Sequence, residues 1–174
     1  MEKPCLIPKP QVYLQRAGYF VKKAAVSKGR MPGELEAPLA VIWPEVTGTE
    51  DTIQFTENKE LQKEQYVLEI TEEGIEISWG SPAGAFYAVM TLHQLVLFSE
   101  GKIACCRIED FPGLRDRAVM IDISRGKVPK VESLKAMIDL LAGLKINQFQ
   151  LYVEGFSFAY PSFSEVWELS LIHI

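Results

Sequence analysis

The sequence predicts an α+β domain followed by an α/β unit with parallel strands. Between Tyr66 and Val96, residues that alternate between apolar and polar are followed by an apolar helical stripe, which indicates a hairpin with a helix packed on it. From Arg115 to Gly155, the apolar pattern changes in the order strand, helix, strand. Because such a crossover is right-handed, its two strands should be parallel.

The predicted parallel unit has two strands and one helix. Ala118–Ile123 and Phe149–Val153 are short apolar runs with the length of buried strands. Pro129 suits the first turn of the helix between them, and Asn147 can adopt the left-handed conformation that ends a helix. The apolar stripe of this helix consists of Val131, Leu134, Met137, Ile138, Leu141 and Leu144.

The predicted hairpin and helix form the centre of the first domain. Tyr66–Ile70 and Ile75–Ile77 alternate around a Glu-Glu-Gly turn, which predicts two antiparallel strands with one wet face. The hydroxyl of Ser81 should cap a helix that begins at Pro82. Its apolar stripe consists of Ala85, Phe86, Val89, Leu92, Leu95 and Val96.

The rest of this domain gives weaker signals. Short strands are predicted at Gln11–Leu14 and Leu39–Trp43, and Glu45–Gln65 has the composition of a polar connector. The domain should cover residues 1–110 as an antiparallel sheet with a helix on it. Asp110, Pro112 and Gly113 then mark a linker.

Composition excludes several classes of protein. The chain has 174 residues, of which 48% are hydrophobic and 24% charged, as in ordinary soluble domains. Its net charge of −5 and the lack of a basic run argue against nucleic-acid binding. No run of about 18 apolar residues predicts a membrane span. The prolines of MEKPCLIPKP interrupt any signal-peptide core, which favours a cytoplasmic protein.

Cysteine and histidine residues give little support for a metal or redox site. Cys5, Cys105 and Cys106 are an odd set whose adjacent pair is poorly placed for a disulfide, so reduced thiols are expected. His93 falls within the predicted helix, where a core or boundary role is favoured, and His173 is near the end of the chain. No zinc-binding motif is present, and no metal or other cofactor is predicted.

The acidic pairs and Gly126 are also explained without a catalytic or binding role. Glu50-Asp51, Glu72-Glu73 and Glu109-Asp110 lie in predicted connectors or turns, where solvated surface charge is expected. Gly126 is a lone glycine after a strand, whereas phosphate loops bring several backbone amides onto the anion.

One cluster of charges remains, around the strand that begins at Ala118. It consists of Arg115, Arg117, Asp122, Arg125 and Lys127. Asp122 and Arg125 could pair with each other at the strand end, because an unpaired buried charge is costly. Alternatively, the cluster could line a sugar pocket, since arginine and carboxylate groups suit vicinal hydroxyls. The residues alone leave both interpretations open.

Several segments resemble glycoside hydrolase family 20, the β-N-acetylhexosaminidases. RDRAVMIDISRGKVP and LKINQFQLYVE resemble the first and second strands of its catalytic (β/α)8 TIM barrel. IPKPQ and YVLEITEEGIEISWGSPAGAFYAVMTLHQL resemble its N-terminal α+β domain, and IEDFPGLRDR resembles its linker. The resemblance implies the start of a barrel over residues 114–168 and an N-acetylhexosamine-containing glycan as substrate.

The resemblance also implies roles for single residues. Arg117 matches an arginine that binds hydroxyls of the terminal sugar. Asp122 and Arg125 match the family's Asp-x-Ser-Arg, for which a structural role and ligand contact are both open. Glu154, at the end of the second strand, is expected to face the pocket. QLYVEGFSFAY replaces the histidine-rich ending of the better-known enzymes and resembles a divergent bacterial branch.

The chemistry that the family implies needs residues this chain does not contain. The 2-acetamido oxygen of the substrate attacks the anomeric carbon, while a consecutive Asp and Glu orient that group and protonate the leaving oxygen. The 174 residues include no Asp-Glu dipeptide. Because a barrel takes about 250 residues, we expect the catalytic pair to lie beyond an incomplete barrel and the fragment to be inactive.

The final residues, 169–174, match no part of the family pattern. The sequence LSLIHI resembles the translation of a sequencing-library adaptor, which predicts a non-native tail. An apolar C-terminal strand is the alternative. Two other functions stay open: a non-catalytic carbohydrate-binding protein on the same scaffold, and a small phosphate or nucleotide binder that uses Arg125, Gly126 and Lys127.

Overall fold

The computed structural model describes residues 4–21, 31–42, 52–123 and 128–154. The chain divides into two units, one formed by Met1–Arg115 with Gly143–Lys145, the other by Asp116–Ala142 with Ile146–Ile174. The elements of the first unit are β1 (Val12–Val21), a 3₁₀ turn (Gly33–Leu35), α1 (Glu36–Ile42), β2 (Ile53–Glu57), β3 (Tyr66–Ile70), β4 (Ile75–Trp79), α2 (Pro82–Leu97) and β5 (Lys102–Asp110).

The first unit contains a five-stranded sheet in the order β1-β5-β3-β4-β2. The predicted hairpin is confirmed, because β3 and β4 pair antiparallel with Leu68 opposite Ile77. The expectation of an antiparallel sheet is only partly right, since β2 runs parallel to β4 at one edge. This makes the sheet mixed.

The strand predicted at Gln11–Leu14 is longer than its apolar pattern suggested. β1 runs from Val12 to Val21 and pairs with β5 over residues 12–15 and 19–21. The register shifts between Gln15 and Tyr19, where Gly18 has a φ of 95°. Because of this irregularity, side chains do not alternate regularly between the two faces along β1. The sequence pattern therefore did not predict the second half of the strand.

The prediction of a strand at Leu39–Trp43 is wrong, because Glu36–Ile42 is a helix. Leu35, Leu39 and Ile42 are all buried. Their spacing of four and three residues is helical, but a five-residue apolar run fits either structure. Trp43 lies outside the described residues.

The polar connector predicted at Glu45–Gln65 contains a strand. In β2, the buried Ile53 and Phe55 alternate with the exposed Gln54 and Thr56. β5 was also not predicted, although Ile103, Cys106 and Ile108 are buried along it. β2 has only two apolar residues, and in β5 the adjacent buried Cys105 and Cys106 interrupt the alternation that would mark a strand.

Helix α2 packs on the sheet through the predicted stripe. Ala85, Val89 and Leu92 are fully buried, and Phe86 and Val96 pack against the core from partly buried positions. The capping role predicted for Ser81 is wrong. Its hydroxyl donates to the carbonyl oxygen of Lys63 and makes no cap bond at the helix start.

The second unit contains the predicted strand, helix and strand. β6 (Ala118–Asp122) and β7 (Gln148–Tyr152) pair in parallel, and α3 (Val131–Gly143) connects them in sequence. No residue of β6, β7 or α3 falls in the buried class in this part of the structure, contrary to the expectation of buried strands. Met120, Ile138 and Leu151 are exposed instead.

The left-handed residue after α3 is Lys145, not Asn147 as predicted. Lys145 has a φ of 60°. Residues with a Cβ seldom adopt this conformation unless contacts elsewhere hold them in it. The ammonium group of Lys145 makes such contacts, as described below.

We predict that Gly84→Ala destabilises the first unit, although alanine favours helices. A Cβ on Gly84 would lie 2.5 Å from the carbonyl oxygen of Gln65, which is backbone and cannot move aside easily. Overpacking of this kind costs about 1–3 kcal/mol, and urea unfolding would measure it. Gly33→Ala is the control, because that Cβ meets nothing within 4 Å. Equal stability of the two variants would contradict the prediction.

Candidate functional site

Asp122 and Glu154 lie at the same edge of the parallel strand pair. Asp122 is the last residue of β6 and is in register with Tyr152, two residues before Glu154. The backbone N–H of Ile123 donates to the Tyr152 carbonyl at 2.9 Å and extends the pairing. Both carboxylates are exposed. This is the carboxyl edge of the strands, where (β/α)8 barrels hold their active sites.

Arg117 lies at the opposite edge of the pair. Its N–H donates to the side-chain oxygen of Asn147 at 2.9 Å, and its carbonyl accepts from the N–H groups of Asn147 and Gln148. Five residue steps of about 3.3 Å separate its backbone from that of Asp122, or roughly 16 Å. The structure therefore brings Asp122 and Glu154 together and holds the backbone of Arg117 apart from them.

Other predicted positions lie outside the described residues. These are Arg125, with Gly126 and Lys127 beside it, and the segment 155–174, which includes His173 and the predicted tail 169–174. The proposed pairing of Asp122 with Arg125 stays a prediction.

The first unit contains a buried polar cluster that the sequence did not reveal. The ammonium of Lys145 lies 2.7 Å from Asp110 Oδ2 and 2.9 Å from the Tyr66 hydroxyl. The Tyr66 hydroxyl lies 2.6 Å from that of Thr91 and 3.2 Å from Asp110 Oδ2. All four residues are buried.

Donor counting sets the direction of these hydrogen bonds. Lys145 can only donate, so the Tyr66 oxygen accepts from it and the single Tyr66 proton points to Asp110. Thr91 then donates to Tyr66. The Lys145 nitrogen is 5.0 Å from the Tyr66 ring centroid but only 2.9 Å from its hydroxyl, so the hydroxyl holds it rather than the ring face.

Asp110 overturns the interpretation of the Glu109-Asp110 pair as solvated surface charge. Asp110 is the last residue of β5 and shares its core-facing side with Ile108 and Cys106. Only the alternation along β5 could have revealed it, and that strand was not predicted. No pattern in the sequence predicted that Lys145 is buried. Lysine is almost never fully buried without a partner, and the sequence does not show that Asp110 is that partner.

Burial also alters the titration of Tyr66. Burial raises the pKa of the Tyr66 hydroxyl well above 10, and the nearby Asp110 carboxylate raises it further. The phenol therefore stays protonated and can donate to Asp110 throughout the physiological range.

The other face of the sheet carries paired charges. Glu69 on β3 accepts from Arg16 at 2.5 Å and from Arg107 at 3.1 Å. Arg107 also donates to Glu109 at 2.6 Å, a bond that raises the pKa of its guanidinium. These groups are partly exposed, so each pair contributes little to stability.

The cysteines are free, as expected, with Cys5 exposed and Cys105 and Cys106 buried. Burial raises the pKa of the Cys106 thiol to about 11, and burial raises that of the neighbouring Tyr13 to about 12. A thiol with such a pKa is almost fully protonated at neutral pH and is a poor nucleophile.

The described ranges also contain no group of three or more metal-binding side chains. His93 lies half-buried on α2. None of the helices in this part of the chain is long and apolar enough to cross a membrane.

Comparison with known proteins gives a consistent result. Residues 3–111 match the model for glycosyl hydrolase family 20, domain 2. A β-hexosaminidase of Akkermansia muciniphila is 29% identical over 150 residues, which are 78% of this chain and 30% of that protein. One from Vibrio vulnificus is 33% identical over 109 residues, 62% of this chain and 13% of that protein. The chain thus spans less than a third of these curated relatives.

Solved structures are similar over most of the chain. The exo-β-N-acetylglucosaminidase of Vibrio harveyi, solved with N-acetylglucosamine, is 28% identical with a TM-score of 0.80, over 95% of this chain and 28% of its own. The β-N-acetylhexosaminidase of Bacteroides fragilis is 25% identical with a TM-score of 0.79, over 88% of this chain and 34% of its own.

We predict that Cys106 makes the first unit sensitive to alkaline pH. Its thiol ionises near pH 9 when unfolded and near pH 11 when folded. The folded state therefore keeps its full stability below about pH 9 and loses part of it as the pH rises towards 11. Urea unfolding between pH 7 and 11 would show a shallower decline in Cys106→Ala. Cys5→Ala, at an exposed position, should decline like the unaltered chain. Parallel declines in all three proteins would contradict this assignment.

Proposed function

Because the chain belongs to glycosyl hydrolase family 20, we propose that it is part of an enzyme that removes terminal β-linked N-acetylhexosamine from glycans. The match of residues 3–111 to domain 2 of the family carries this proposal. The similarity to an exo-β-N-acetylglucosaminidase that was solved with N-acetylglucosamine supports the sugar class. The proposed reaction is retaining hydrolysis assisted by the substrate's own 2-acetamido group.

In this proposal the first unit is the non-catalytic domain and the second unit begins a (β/α)8 barrel. Parallel pairing of β6 and β7 supports a barrel start. So do the apolar side chains of Met120, Ile138 and Leu151, because further strands and helices would cover them. The similarity to the Vibrio harveyi enzyme covers 95% of the chain, which extends it beyond domain 2.

The residues proposed for sugar binding are Arg117, Asp122, Arg125 and Glu154. The shared edge of Asp122 and Glu154 supports their facing one pocket. Arg117 would have to reach the sugar from the other end of β6, so its role depends on the family resemblance. The catalytic Asp-Glu pair is proposed to lie in the part of the enzyme that these 174 residues do not include.

We predict that the purified 174-residue chain does not hydrolyse a chromogenic N-acetyl-β-D-glucosaminide, whereas the complete gene product does. Without the Asp-Glu pair, nothing orients the acetamido group or protonates the leaving oxygen. Release of the chromophore measures both proteins. Turnover by the 174-residue chain would overturn the proposal that the catalytic pair lies outside it. Sugar binding without turnover by the complete product would indicate the non-catalytic alternative.

We predict that Arg117→Ala in the complete gene product lowers kcat/KM by about 10- to 100-fold, the usual loss for a charged hydrogen bond to substrate. Lys135→Ala, which removes an exposed cation of α3 outside the charged cluster, is the control. Thermal melts of both variants would check that they are folded. An Arg117→Ala enzyme with unchanged kcat/KM would remove Arg117 from the site.

A further inference from the structure

The ammonium of Lys145 is surrounded by groups of the first unit. Asp110 Oδ2 and the Tyr66 hydroxyl accept its hydrogen bonds at 2.7 and 2.9 Å. The Lys145 side chain is 7% exposed and that of Asp110 10% exposed. A buried charge pair with such short contacts is much less screened by solvent than a surface pair.

The other partners of Asp110 leave its charge uncompensated. Oδ1 accepts from the backbone N–H of Gln11 at 3.3 Å, and Oδ2 accepts from Tyr66. Both donors are neutral at physiological pH, so Lys145 supplies the positive charge in this cluster. Without it, the unit would hold a carboxylate that is buried but not neutralised.

The segment that carries Lys145 is held at a second point. The side-chain amide of Gln94 on α2 donates to the carbonyl oxygen of Gly143 at 3.3 Å. The same amide donates to the Ile7 carbonyl at 2.7 Å. Gly143–Lys145 thus belongs to the first unit, although it follows the family match at residues 3–111 by more than thirty positions.

We propose that the α+β unit contains a binding site for one primary ammonium group, formed by the Asp110 carboxylate and the Tyr66 hydroxyl, and that Lys145 occupies this site from within the same chain. Thr91 supports the site by its hydrogen bond to the Tyr66 hydroxyl. The unit is complete only when this lysine is bound. The positive φ of Lys145 agrees with this, because the bound side chain holds the backbone in a conformation that the residue would otherwise avoid. This inference is independent of the proposed enzymatic activity.

A double-mutant cycle tests the charge pair in the 174-residue chain. Lys145→Met should lower Tm by roughly 6–20 °C, because it leaves Asp110 buried without its counter-charge. Adding Asp110→Asn should recover at least half of that loss, since no buried charge then remains. Lys102→Met, at an exposed lysine on β5, is the control and should shift Tm by no more than about 2 °C. Additive losses from the two changes would overturn the proposal.

Chemical rescue tests the binding site itself. Lys145→Ala removes three methylene groups and the ammonium, and propylammonium supplies the same atoms. At about ten times its dissociation constant, propylammonium chloride should raise the Tm of Lys145→Ala by roughly 3–6 °C. The matched control is Lys145→Ala with Asp110→Asn, which should not respond. Tetramethylammonium chloride and propanol should also have no effect on Lys145→Ala, because neither can donate a charged N–H bond.

Each outcome of the rescue experiment either supports or overturns the proposed ammonium site. Equal rescue by propanol would show a simple apolar cavity and overturn the proposal, as would an absence of rescue in folded Lys145→Ala. If that variant unfolds, the fraction refolded from urea replaces Tm. The proposal then requires that propylammonium increases the refolded fraction of Lys145→Ala but not that of Lys145→Ala with Asp110→Asn.

Discussion

The buried carboxylate of Asp110 constrains how the elements of the first unit can pack together. A charge inside a protein is costly unless opposite charge and hydrogen-bond donors surround it. Its partners include the Tyr66 hydroxyl of β3 and the ammonium of the Gly143–Lys145 segment, and Thr91 of α2 bonds the same Tyr66 hydroxyl. Because these elements must meet at one point, the strand, the helix and the segment have little freedom to shift along one another.

The apolar core imposes the same register as this polar cluster. Along β5, Cys106, Ile108 and Asp110 are buried at every second position, whereas Arg107 and Glu109 between them pair with charges on the other face. A shift of one residue would bury Glu109 in place of Asp110 and expose Ile108. Burial of apolar side chains and neutralisation of one charge therefore favour a single pairing of the strands.

The proposed function assigns the buried polar cluster and the proposed sugar-binding residues to different units of the chain. The match to domain 2 covers Tyr66 and Asp110, and Lys145, which lies beyond the match, neutralises Asp110 and binds the Tyr66 hydroxyl. Groups satisfied in this way stabilise a fold and are poorly suited to bind a substrate. The residues proposed to bind sugar, Asp122 and Glu154, lie instead at an exposed edge of parallel strands.

The sequence by itself determined the elements whose side chains have a clear period. These are the hairpin of β3 and β4, helix α2 with its buried stripe, and the parallel β6–α3–β7 unit. It also placed Asp122 and Glu154 at strand ends, because that follows from counting residues along each strand. The family resemblance came from the same local segments, and the match to domain 2 confirmed it.

Tertiary structure alone decided the features that depend on partners distant in the chain. Leu39 lies in a helix because Leu35 and Ile42 share its buried face, and β2 is a strand because β4 pairs with it. Asp110 and Lys145 are 35 positions apart, and 79 positions separate Lys145 from Tyr66. A charged residue has the same local pattern whether it is solvated or buried, and only the folded chain brings it the opposite charge that makes burial possible.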